Sequence, residues 1–209
     1  MPDRRWKHTS GTSESRNSRS ILRIALFGGT FDPIHNAHLQ IAREAASQFH
    51  LDRVWFIPAS RPPHKSGVTS ATYEHRYRMV ELACAGEPMF EASRIEEGEE
   101  KSYSIGTIER VRASLGADDK LFFLIGADAF ADIETWRRWR EVVAAVEFIV
   151  VSRPGGRYEV PEGARVQALE GVNLPVSSSE IRRRLANGDQ DVEVPPAVLS
   201  YIRENGLYR

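Results

Sequence analysis

Cysteine is nearly missing from this chain: Cys84 is the only one among 209 residues. A single thiol excludes an internal disulfide framework and fits a reducing cytoplasm. Long apolar runs are missing too. No stretch approaches the roughly 18 consecutive apolar residues of a membrane span. A charge excess of either sign is absent, since 28 Lys and Arg against 29 Asp and Glu leave a formal charge of −1. The chain as a whole therefore carries no basic footprint for nucleic acid or for an anionic membrane. Two familiar phosphate signatures are also lacking: there is no GxGxxG after a strand, and no glycine loop ending in Gly-Lys-Ser/Thr. What is present is an ordinary apolar share, 41%, enough for one globular domain with its own core, expected over residues 21–209. Residues 1–20 stand apart. Arg4, Arg5, Lys7, Arg16 and Arg19 face only Asp3 and Glu14, among many Ser and Thr. Without an apolar segment this is no signal peptide, and a disordered leader is expected.

The chain is organised around Leu26-Phe-Gly-Gly-Thr-Phe-Asp-Pro-Ile-His-Asn-Ala-His-Leu39. The apolar run from Ile21 to Phe27, broken by Arg23, predicts a strand ending at Gly28 and Gly29. Leu39, Ala42 and Ala46, with Ile41 and Ala45, then recur at helical spacing. Glycines let backbone approach a ligand closely, and a helix start offers unpaired N–H groups and partial positive charge. That combination suits phosphate. His35 and His38 are three apart, so they share a face if the helix has begun by His35. They could donate hydrogen bonds to phosphate oxygens as charge builds in a transition state. A zinc pair, or histidines that only cap or pack, are the alternatives; zinc would need a third and a fourth ligand.

Further along, Arg53 to Ile57 reads as a second buried strand, and strand–helix–strand at this spacing implies a parallel sheet. It runs into Pro58-Ala-Ser-Arg-Pro-Pro-His-Lys65, a stiff loop at a strand's C-terminal end, where open α/β sheets bind ligands. Lys65 would there be a mobile cation for phosphate. Residues 72–85 predict a helix, with His75 and Arg76 on a solvated face or at a site. A short strand is expected over 89–93 and an exposed charged loop over 94–101. Ser104 is expected to cap a helix running to about Leu115. Lys120 to Ile125 is another buried strand, followed by Gly126-Ala-Asp128, a glycine and a carboxylate placed to meet a nucleotide or ribose hydroxyls. Trp136 could be a stacking platform or a core indole. A helix end and then a strand are read over 142–151, closed by Ser152-Arg153-Pro-Gly, and residues 166–169 could pair at a sheet edge. Ser177, Ser178 and Ser179 open a second phosphate-ready helix start, with the permanent charge of Arg182 within one turn. The sum is an α/β domain, doubly wound and mostly parallel, with its site at the strands' C-terminal edge.

These motifs together resemble the nucleotidylyltransferase superfamily with its HxGH element. The version is that of bacterial nicotinate-mononucleotide adenylyltransferases, a Rossmann-like nucleotidylyltransferase fold. GGTFDPIHNAH, PPHK, SYS, GxD with Trp136, RPG, VSSSEIR and the VPPAVLSYI ending occur in the family's order from about residue 22 onward. Ala37 stands where the family usually has glycine, and Gly106 where many relatives carry an acidic or amide residue. The resemblance implies transfer of an adenylyl group from ATP to nicotinate mononucleotide, giving nicotinate adenine dinucleotide and pyrophosphate in NAD biosynthesis. It implies that His35, His38 and Arg182 are catalytic. Gly28, Gly29, Thr30, Phe31, Gly126, Asp128 and Ser177 to Ser179 would bind ATP. Lys65, Tyr103, Ser104, Trp136 and Arg153 would bind the mononucleotide. Mg²⁺ would arrive on the ATP phosphates, without protein ligands. Another adenylyl- or cytidylyltransferase, or a nucleotide-binding sensor without catalysis, stays open, as does a homo-oligomer.

Overall fold

The computed structural model describes residues 20–61, 70–98, 101–152, 158–171 and 175–209. Almost all of the leader, together with Lys65 and Arg153, lies outside the described residues.

Six strands form one sheet: β1 (Arg23–Gly29), β2 (Arg53–Pro58), β3 (Phe90–Ala92), β4 (Lys120–Gly126), β5 (Glu147–Ser152) and β6 (Arg165–Glu170). Their order is β3-β2-β1-β4-β5-β6, and every neighbouring pair is parallel. The order reverses between β1 and β4, which is the switch point where a doubly wound sheet opens a crevice. Burial on both faces explains the unbroken apolar run Leu121 to Ile125, since a parallel strand has no solvent side. Alternate residues split between two cores. Ala25, Phe27, Phe122 and Leu124 face one, while Ile24, Leu26, Leu121 and Phe123 face the other.

The first core is covered by α1 (Asn36–Gln48), α2 (Tyr73–Cys84), α6 (Ser178–Ala186) and α7 (Pro196–Glu204). The second is covered by α3 (Ser104–Ser114), α4 (Ala127–Ala131) and α5 (Trp139–Ala145). Leu39, Ala42, Ala45 and Ala46 form the buried stripe of α1, as their spacing requires. The expected β2, β3, β5 and β6, and the helix over 72–85, are present within one or two residues of their predicted bounds.

Two local expectations are corrected, and a third that was open is decided. Ser104 does not cap α3; it is the first helical residue. Tyr103 holds the extended cap conformation, and its carbonyl accepts from Gly106 and Thr107 N–H. The segment over 94–101 is not uniformly exposed. Glu96 is buried, and the Thr107 hydroxyl donates to its carboxylate at 2.5 Å. Arg76 is not on a solvated face but is 1% exposed. A helical arginine gives no pattern signal of burial, because its partners are backbone carbonyls far away in sequence.

Candidate active site

Past the end of β1 the chain must turn sharply to enter α1. Phe31 adopts a left-handed conformation (φ 49°), and its ring lies over Gly29. A Cβ on Gly29 would sit 2.8 Å from that ring, so only glycine fits there. The turn's carbonyls are held by distant side chains. Arg76 Nη1 donates to Thr30 O at 2.7 Å, and Arg182 Nη1 donates to Asp32 O at 2.7 Å. The Ser178 hydroxyl donates to Pro33 O at 3.0 Å. The last two contacts come from the first turns of α6. The two helix starts singled out in the sequence therefore meet on one turn. Ser177 caps α6 by accepting from Glu180 N–H at 3.2 Å, and Arg182 also donates to the Ser179 hydroxyl at 3.3 Å.

His35 is the N-cap residue of α1 and His38 lies in its first turn. Their rings stack with centroids 3.7 Å apart. His38 Nδ1 accepts the His35 backbone N–H at 3.2 Å. In neutral His38 the ring proton is therefore on Nε2, which makes that edge a donor. His35 is 5% exposed, and its Nδ1 is buried with no hydrogen-bond partner among the described residues. Burial pulls its pKa down to about 4, against a weaker upward pull from Glu193. His35 is thus neutral at pH 7, and the fixed positive charge beside the turn comes from Arg76 and Arg182.

Next to the turn is a cleft of about 210 Å³ lined by Gly28, Gly29, Gly126, Ala129 and Trp136, and floored by apolar side chains of β1, β2 and β4. Its cause is visible in the strand register. β1 and β4 pair only as far as Leu26 and Phe123, although the strands run on to Gly29 and Gly126. Phe27 joins cleft and turn, because it lines the cleft and meets the His38 ring with centroids 5.9 Å apart. Ser104, Glu96 and Thr107 line the cleft wall. Trp136 is half-buried and packs edge-on against Phe123.

Two candidate residues face elsewhere. The Tyr103 ring lies under the Arg137 guanidinium, 4.8 Å from it, in a separate basic depression with Lys101, Arg110 and Arg138. Asp128 is exposed in the first turn of α4, beside the cleft-lining Gly126 and Ala129. Ala37 is buried within α1 and lies outside the cleft lining, so its methyl group does not fill that space. Residue patterns missed Asp32 and Glu96 as parts of this region and left Arg76 open between a solvated face and a site. Each is a charged residue whose role depends on burial, which no local spacing reveals. Among the described residues no group of three or more His, Cys, Asp and Glu converges to hold a metal ion. No described helix is long and apolar enough to cross a membrane.

The cytidylyltransferase-like family matches residues 26–184. A probable nicotinate-nucleotide adenylyltransferase of Solibacter usitatus is 59% identical over 187 residues, covering 90% of this chain and 100% of the relative. One from Exiguobacterium sibiricum is 45% identical over 190 residues, covering 90% and 99%. Among solved structures, the Plasmodium falciparum nicotinic acid mononucleotide adenylyltransferase complexed with NaAD superposes with a TM-score of 0.72 at 21% identity. That match covers 90% of this chain and 97% of the other. At that identity the match establishes the shared fold.

Proposed function

Since the chain belongs to the cytidylyltransferase-like family and, within it, to the nicotinate-nucleotide adenylyltransferases, we propose how its own residues carry that reaction. The enzyme transfers the adenylyl group of ATP to nicotinate mononucleotide in NAD biosynthesis. A phosphate oxygen of the mononucleotide forms a bond to the α-phosphorus of ATP. The bond from that phosphorus to the bridging oxygen breaks, and pyrophosphate leaves. Such a displacement needs alignment and charge neutralisation more than a side-chain nucleophile.

The observation that carries this assignment is the meeting of the α1 and α6 starts on the Thr30–Pro33 turn. Both helix starts bring positive dipole charge to one place, and Arg182 adds a permanent cation. We assign the triphosphate to it. His38, with its Nε2 edge as donor, and neutral His35 hold phosphate oxygens. Gly28 to Phe31 leave room for the phosphates beside the turn. The adenosine enters the cleft between β1 and β4, beside Gly126, with Asp128 at its rim. Trp136 offers a face to the pyridine ring, and the backbone around Tyr103 and Ser104 meets the nicotinate carboxylate. Lys65 and Arg153 are proposed to contact the mononucleotide on the strength of their motifs. Mg²⁺ is carried on the phosphates and, when bound, screens charge on the departing pyrophosphate; this chain gathers no carboxylate cage for it among the described residues. The single thiol takes no part. Cys84 is buried, and burial pushes its pKa up to about 12. A cytoplasmic location accords with that reduced cysteine.

Pyrophosphate release from ATP and Mg²⁺, followed with nicotinate and nicotinamide mononucleotide in parallel, tests the reading. Release with the nicotinate substrate well above the amide is expected, and folded protein that releases none would overturn it. Replacing His38 with Ala should lower turnover by about 10²- to 10³-fold, the scale for losing one preorganised donor, with the melting temperature nearly unchanged. Near-normal turnover would remove His38 from its role.

A further inference from the structure

Asp32 sits three residues before His35, where an outward carboxylate would repel a triphosphate. It is turned inward instead and is 4% exposed. Three donors from two distant parts of the chain hold it. Ser70 N–H donates to Oδ2 at 2.7 Å and Ala71 N–H to Oδ1 at 3.1 Å. The Tyr208 hydroxyl donates to the same Oδ1 at 2.7 Å. Ser70 and Ala71 directly precede Thr72, the cap of α2, and α2 carries Arg76 to the Thr30 carbonyl.

Tyr208 reaches Asp32 by an unusual backbone route. After α7, Leu207 N–H returns to Ile202 O at 3.0 Å, and Gly206 and Tyr208 are both left-handed, at φ 60° and 63°. For a tyrosine that conformation is unfavourable, so packing and the hydroxyl contact must hold it there. Leu207 and Tyr208 both pack against the first core. Burial and the adjacent Asp32 carboxylate hold the phenol protonated, so it stays a donor.

We infer that Tyr208 is a positioning residue for adenylyl transfer, acting through Asp32 to hold the turn that presents His35 and His38. This rests on the assignment of those histidines to the ATP phosphates. The hydroxyl does two things at once. It fixes the carboxylate, and with it the Asp32 carbonyl that Arg182 grips from the other side. It also keeps the negative charge turned away from the phosphate site. A hydrogen bond to a buried charge is the kind whose loss is felt most strongly.

The test is Tyr208→Phe, which keeps the ring and removes only the donor, compared with Leu207→Ala, which loosens packing in the same segment without touching the turn. Steady-state pyrophosphate release and thermal unfolding are measured for both, and for Tyr208→Phe in a His38→Ala background. We expect kcat to fall about tenfold in Tyr208→Phe, and Leu207→Ala to melt lower while keeping its kcat. With His38 already gone, the tyrosine substitution should change the residual turnover clearly less than tenfold, because the part of its effect that acts through His38 is no longer there to lose. An unchanged kcat in Tyr208→Phe overturns the inference. So does an equal loss in Leu207→Ala, or a full tenfold effect persisting without His38. Wild-type turnover in His38→Ala alone would instead refute the histidine assignment, and the single variant reveals that before the tyrosine is considered.

Discussion

His35 shows what burial does to a single titratable group. Its imidazole is stacked on His38 and nearly closed off from water, and its folded pKa near 4 lies below the unfolded value of about 6.5. Between those values the unfolded chain binds more protons than the folded one. Stability from this residue is therefore fully present above about pH 6.5 and is lost as pH falls toward 4. The difference is worth up to about 3 kcal/mol at about 1.4 kcal/mol per unit. Urea unfolding of the wild type at pH 7 and pH 4 should show this extra acid sensitivity, and His35→Asn should lack it. Equal pH dependence in the two proteins would mean that His35 is more hydrated than its surroundings imply. The histidine spacing was legible in the sequence, since HxxH after a glycine turn already suggested convergence. The neutral state of His35 was not, because it depends on burial of its ring against His38, beside a turn whose carbonyls are held by donors from α2 and α6.

At the scale of elements, sequence patterns located the helices better than their first residues. The apolar stripe of α1 and the serine start of α6 were plain from spacing, and Ser177 caps as hydroxyl chemistry suggests. Ser104 misled, because a serine near a helix start can equally stand one place inside it when the preceding residue takes the extended cap conformation. Ser177 and Ser178 now separate into two jobs, one holding its own helix and one holding the Thr30–Pro33 turn. Ser177→Ala removes only the cap and should cost about 1 kcal/mol of stability, read as a lower melting temperature with the KM for ATP little changed. A large rise in that KM would show that the Ser177 hydroxyl meets the nucleotide itself. Neither the inward face of Arg76 nor the burial of Glu96 could have been read from helix or loop patterns. Both depend on which far segments pack against them.

At the scale of the whole molecule, the alternation of buried runs with helices was enough to foresee a doubly wound parallel sheet. The switch point could be placed only once strand order was known. Two strands adjacent in the sheet, β1 and β4, are separated in sequence by three helices and two strands. That distance hides the cleft from any local reading, although Gly28 and Gly126 mark its two sides. The early end of β1–β4 pairing has one more consequence. A parallel strand points its peptide groups alternately to its two neighbours, so Gly28 and Gly126 aim theirs into the gap the other strand has left. Deep in the central sheet, the protein thus keeps a pair of main-chain edges without ladder bonds between them. In hydrogen–deuterium exchange the Gly28 and Gly126 amides should trade their protons far faster than those of Leu26 and Leu124, and should slow when ATP fills the gap. A sheet centre that exchanges like a rim in the free protein, and like a core in the complex, would mean the nucleotide completes the sheet as an added strand would.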